Sequence, residues 1–193
     1  MSDDDQEIVP AEGIGADRLG DTFAAARARL PECDVEERGT TRVLHTRDKS
    51  LYFDNDLLTQ IGIHHQHPGR TADGLRLHQT LAEVRGELVL DAGNGVLLLA
   101  GVPGLCFSLA QDLLPLAGER PKVLVLPASA TITWIGVFRP EDADEPLVRV
   151  RLAPEPPVNA AGEGPPAART GKRRRAAART KRTPSTPRSR GRA

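Results

Sequence analysis

The chain reads as an α+β protein: two diverged helix–antiparallel-meander repeats that pack their helices on one sheet face, followed by a disordered basic tail. Three observations predict this. A thirteen-residue stretch recurs further along the chain, each copy passes from helical to alternating periodicity, and the composition changes abruptly near residue 154.

Residues 18–30, "RLGDTFAAARARL", match residues 76–88, "RLHQTLAEVRGEL", with Arg18/Arg76, Leu19/Leu77, Thr22/Thr80, Ala24/Ala82, Arg27/Arg85 and Leu30/Leu88 identical. Two later echoes keep the same order: "SLYFD" (50–54) with "GLCFS" (104–108), and "TQIGI" (59–63) with "TWIGV" (133–137). The organisation predicted is a disordered acidic start over 1–10, repeat 1 over 11–68 and repeat 2 over 69–153, with an insertion near 109–130. The basic tail then covers 154–193.

In each copy a threonine hydroxyl, Thr22 or Thr80, is placed to cap a helix. Phe23, Ala26, Leu30 and Leu81, Val84, Leu88 then lie along one helical stripe, and Pro31 stops the first helix. After each helix the period falls to two. "TRVLHT", "SLYFD" and "LLTQIGIHH" are the expected strands of copy one. "GVLLLAG", "GLCFSL", "KVLVL" and "ATITWIGVF" are those of copy two. A last strand, "PLVRVRLAP", alternates arginines with aliphatics and is expected at a sheet edge.

The unit "Leu-Gly-Asp-Thr, helix, meander" (Leu19-Gly20-Asp21-Thr22, answered by Leu77-His78-Gln79-Thr80) resembles the repeats of the beta-lactamase inhibitory protein family. It is also similar to the modules of small outer-membrane assembly lipoproteins. The resemblance spans roughly residues 13–138 and implies helices on one face of an antiparallel sheet, with the other face free for a protein partner. The paired cysteines of the inhibitors have no counterpart here, so no inhibitory residue carries over.

The zero net charge conceals a segregation. Residues 165–193 hold 11 Lys/Arg and no Asp/Glu, which leaves 15 basic against 26 acidic groups before them, a balance of −11. The tail from Pro154 is almost wholly Pro, Ala, Gly, Arg, Lys, Ser and Thr, too apolar-poor to offset its ordering entropy. Its Lys172, Arg173, Arg174, Arg175, Arg179, Lys181, Arg182, Arg188, Arg190 and Arg192 are the candidate polyanion-binding residues. Such a polycation neutralises phosphates without reading sequence. No aromatic interleaves them, so base stacking is not available.

Three histidines, His64, His65 and His67, crowd "IGIHHQHPGR". In an extended chain His65 and His67 share a face, and with His45 from a neighbouring strand they are the candidate metal ligands. The blander alternative, a solvated strand end leading into the linker "PGRTADG", weighs more, because copy two has "IGVFRP" there. No metal or cofactor is assigned. Cys33 and Cys106 are too few for a disulfide framework, and a single bridge between them stays open. No nucleophile elbow or phosphate loop is present.

These features point to a non-enzymatic binding protein, its body engaging a protein partner and its tail a nucleic acid or another polyanion. The alternative is an inhibitor or immunity-type protein acting through the body alone, and a small metal-dependent enzyme built on the histidines comes last. With no secretory signal and no apolar run of membrane-spanning length, the expected location is cytoplasmic, in association with nucleic acid.

Overall fold

A computed structural model describes residues 6–110, 113–115, 121–140 and 147–154. Three two-residue strands open the chain, Ile8–Val9 (β1), Gly13–Ile14 (β2) and Asp17–Arg18 (β3), and form a small sheet of their own. The α-helix Phe23–Arg29 (α1) follows, with the Thr22 hydroxyl accepting the Ala25 N–H at 3.3 Å as its cap. A first meander runs through Asp34–Arg38 (β4), Thr41–His45 (β5), Lys49–Asp54 (β6) and Leu57–His64 (β7). The second half supplies Leu88–Asp91 (β8), Val96–Leu99 (β9), Leu105–Leu109 (β10), Leu124–Pro127 (β11), Ile132–Phe138 (β12) and Leu147–Ala153 (β13). Together they form one ten-stranded sheet in the order β11-β13-β8-β9-β10-β12-β7-β6-β5-β4. The fold is mixed and sheet-dominated, with a single α-helix among the described residues.

The sheet consists of two four-stranded meanders, β4-β5-β6-β7 and β8-β9-β10-β12, joined where β7 pairs with β12. Gly62 faces Gly136 in that pairing, with Ile61 opposite Val137 and Ile63 opposite Ile135. The same backbone bonds occur in both halves. Gly20 N–H donates to Leu58 O at 2.7 Å, and His78 N–H to Ile132 O at 2.8 Å. Leu58 N–H donates to Asp21 O at 2.8 Å, and Ile132 N–H to Gln79 O at 2.9 Å. Phe23 N–H to Asp56 O and Leu81 N–H to Ala130 O are both 2.9 Å. The inner pairings slip at matching places, between Tyr52 and Phe53 in one half and between Ser108 and Leu109 in the other. This register sets Ser50 against Cys106 and Leu51 against Phe107, two residues away from the "SLYFD"/"GLCFS" alignment read from sequence. Because the slip is even, it preserves which face each side chain occupies.

One face of the sheet carries the main core. Leu44, Leu51, Phe53, Leu58, Ile61 and Ile63 come from the first half. Leu90, Leu97, Leu105, Phe107, Ile135 and Val137 answer from the second. Ile8, Ile14, Ala26, Leu77 and Leu81 cover that face. A buried ion cluster fastens the cover: Asp17 accepts Lys49 Nζ at 2.7 Å and Arg29 at 3.2 Å.

Several expectations change. The stretch expected to repeat the helix is only a 3₁₀ turn, Leu81–Glu83. Gly86 sits at φ +111°, Val84 is already extended, and Leu88 begins β8 instead of completing a helical stripe. Val and Gly cost helix stability that the Ala run of α1 does not incur. The exposed strand β4, "DVEER", shows no apolar alternation and was not expected. The strand β13 lies between β8 and β11, so β11 holds the edge, its Val125 61% exposed. The arginines of β13 are exposed as expected. The acidic start does not stay disordered to residue 10, since Ile8 is buried in the core. Residues 155–193, with the whole basic run, lie outside the described residues, as does part of the 109–130 segment.

Candidate functional site

The opposite face of the sheet is different in kind. Its apolar cluster, Val89, Leu98 and Cys106 with Val96, Trp134 and Phe138 packed against it, draws every member from the strands themselves. At its centre lies the chain's single tryptophan. A Cβ on Gly62 would come within 2.5 Å of the Trp134 indole nitrogen, and one on Gly136 within 2.2 Å of the far ring edge. The indole therefore lies flat across both glycines, half-buried, with its outer face left to solvent. Further along the same face a groove of about 600 Å³ is lined by Asp54, Gln60, Asp91, Val96, Cys106 and Phe138.

On the first half of this face a polar chain crosses four strands. Arg38 binds the Glu36 carboxylate at 2.7 and 2.8 Å, and His45 Nε2 lies 3.0 Å from the same carboxylate. His45 Nδ1 is 3.0 Å from the Ser50 hydroxyl, which in turn is 3.2 Å from His64 Nε2. His64 Nδ1 is buried and has no partner. Register explains the assembly: β5–β6 pairing sets His45 opposite Ser50, and β7–β12 pairing sets His64 opposite Trp134. The Arg38 hydrogen bonds, and secondarily that of His45, hold Glu36 down to about 2. Burial, with repulsion from His65, lowers His64 despite the opposing pull of Asp48.

The second half carries apolar residues at the corresponding positions. The ladder sets Leu98 opposite Cys106 as His45 stands opposite Ser50. Phe138 N–H donates to Gly104 O at 3.0 Å, as His64 N–H does to Asp48 O at 3.0 Å. Burial pushes the Cys106 thiol up to about 12, so it is a packed, inert group. Cys33 is also buried and free, with Arg27 donating to its sulfur at 3.0 Å. The two cysteines do not pair.

The metal candidates are not brought together. The strand β7 ends at His64, and His65 turns through φ +57°, which destroys the shared face that an extended chain would give His65 and His67. His67 points into buried surroundings, where its Nδ1 accepts the Gly69 N–H at 3.0 Å and burial lowers its pKa. The carbonyl of His65 accepts from His78, and His45 belongs to the Glu36–Ser50 chain. Among the described residues, no three His, Cys, Asp or Glu side chains are placed to hold a metal ion. Nor, among those residues, is any helix long and apolar enough to cross a membrane. No family model, curated protein or solved structure matches the chain.

Proposed function

We propose that this is a non-enzymatic binding protein made of two diverged copies of one unit. The uncovered sheet face around Trp134 takes a protein partner, and the basic tail holds a nucleic acid or another polyanion. Duplication is supported by the repeated bonds from Gly20, Asp21 and Phe23 in one half and His78, Gln79 and Leu81 in the other. The observation that carries the docking reading is Trp134 itself. A flat, half-buried indole on a glycine floor, with Phe138 and a groove further along the same face, is a preordered anchor for a partner side chain. Ser50 does not argue for catalysis. It lies inside β6 between β5 and β7, where backbone N–H groups are spent on the ladder and not free to hold an oxyanion.

The experiment is affinity capture from cell extract with the full chain and with Trp134→Ala, then reassembly of any captured protein with the purified chain. Loss of a central tryptophan anchor raises Kd by about thirtyfold, or 2 kcal/mol. An unchanged Kd refutes this face as the docking surface. For the tail, binding to duplex DNA is measured against salt for the full chain and a truncation at residue 160. The full chain shows a steep salt slope that the truncation lacks. Equal binding by both removes the tail from the function and leaves the body acting alone.

A further inference from the structure

We propose that Glu36, His45, Ser50 and His64 form a one-proton relay, which reverses the hydrogen-bonding polarity of His64 Nδ1 beside Trp134 as the solution turns acid. The Glu36 carboxylate only accepts hydrogen bonds. His45 Nε2, 3.0 Å away, therefore carries a proton, and in the neutral ring Nδ1 is a bare acceptor. The Ser50 hydroxyl donates to that Nδ1 at 3.0 Å. Its oxygen then accepts from His64 Nε2–H at 3.2 Å, which leaves His64 Nδ1 as a lone pair. That is the buried atom without a partner.

Adding one proton reverses every bond between the rings. His45 becomes an imidazolium and donates through Nδ1 to Ser50 while Nε2 still donates to Glu36. The Ser50 proton swings to His64 Nε2, and His64, still neutral, carries its hydrogen on Nδ1. The added proton thus rests on His45, against a carboxylate that Arg38 binds at 2.7 and 2.8 Å, and only the hydrogen of His64 changes nitrogen. The charged and titratable neighbours fit this assignment. Strand β4 brings Asp34, opposite His45 in register, together with Glu36 and Arg38. The Asp48 turn and His65 face His64, Tyr52 continues the face on β6, and β12 contributes the uncharged Trp134. Burial opposes charge on His64, and the Glu36 carboxylate 3.0 Å from His45 Nε2 places the counter-charge at the other end of the chain.

The fold does not need these groups. At the corresponding positions of the second half, Leu98, Cys106 and Phe138 pack without any polar chain. Polar residues kept where apolar ones fit serve something other than stability. The consequence for docking rests on the reading of the Trp134 face above: the charge carried by the strands beside Trp134 changes with pH, while His64 Nδ1 itself stays buried.

The test is a set of two-bond ¹H–¹⁵N imidazole correlations on the full chain between about pH 5 and 8, where imidazoles change charge. The expected result is His64 neutral throughout, its hydrogen moving from Nε2 to Nδ1 as His45 becomes imidazolium. Emission from the single tryptophan follows in one step. Ser50→Ala, and independently Ser50→Cys, abolishes the exchange of tautomers at His64. A His64 that keeps one tautomer, or that charges before His45, overturns the relay. So does a switch that persists without the Ser50 hydroxyl. None of these outcomes depends on a partner, and a neutral Trp134→Ala would refute docking without touching the relay.

Discussion

The two halves of the uncovered face place different chemistry on one backbone plan. The first joins Glu36, His45, Ser50 and His64 through hydrogen bonds of 3.0–3.2 Å. The second fills matching places with Leu98, Cys106 and Phe138, beneath Asp91, whose carboxylate accepts from Gly93 and Asn94 and is used up in its own turn. A part-buried polar chain is specific but costly when incomplete, whereas an apolar cluster tolerates change. The contrast separates what the sheet requires from what a site adds: the sheet requires alternation, and only the site needs His, Ser and Glu.

The largest effect is expected beneath both halves. Phe107→Ala removes a fully buried ring from the common core and should cost about 3–5 kcal/mol in urea unfolding, and Leu51→Ala, at the corresponding position of the first half, about 2–5. If only one half responds, the halves do not share one cooperative core. Next comes the seam. Gly136→Val drives a side chain into the Trp134 ring and Cys106 Sγ, costing about 1–3 kcal/mol and shifting tryptophan emission toward that of exposed indole. Emission unchanged from wild type would mean that the indole does not lie on this floor.

A sharper comparison converts one half into the other. Ser50→Ala alone strands two imidazole nitrogens and should cost about 1–3 kcal/mol. The triple replacement His45→Leu, Ser50→Cys, His64→Phe removes the partners together and should leave stability within about 1 kcal/mol of wild type. A triple variant less stable than the single one would show that the polar chain is structural. The smallest effect concerns Glu36. Its folded pKa is depressed, so the stability it contributes is present above about 4.3 and fades as pH falls toward 2. The difference in urea midpoint between wild type and Glu36→Gln should therefore close over that interval and shrink with salt. A difference that grows in acid contradicts the pairing with Arg38 and His45.

Alternation made β5, β6, β7, β9, β10, β12 and β13 readable along the chain, because a half-buried strand shows its period in its own residues. Strand β4 escaped because it is exposed throughout its length and its only aliphatic is Val35. The 81–88 segment misled because Leu81, Val84 and Leu88 match a helical stripe, while the chain is already extended at Val84 and turns at Gly86. The polar chain had one local signal. A hairpin closing across "RDK" places His45 opposite Ser50. Its other links, to Glu36 and His64, depend on the register of the two flanking hairpins, β4–β5 and β6–β7, and β4 shows no alternation to set it. The crowded histidines drew attention to a metal instead.

The alternation of the strands, the Thr22 cap and the charge break before the tail are legible along the chain, since each is a local pattern of side-chain types. Only the tertiary structure decided that the last strands of the two meanders pair at Gly62 and Gly136. That pairing seats Trp134 flat across both glycines, while the pairings within the first meander bring four residues from four strands into one hydrogen-bonded line. The reason is physical: register between distant strands is set by the burial of a whole face at once, and no single segment carries that information.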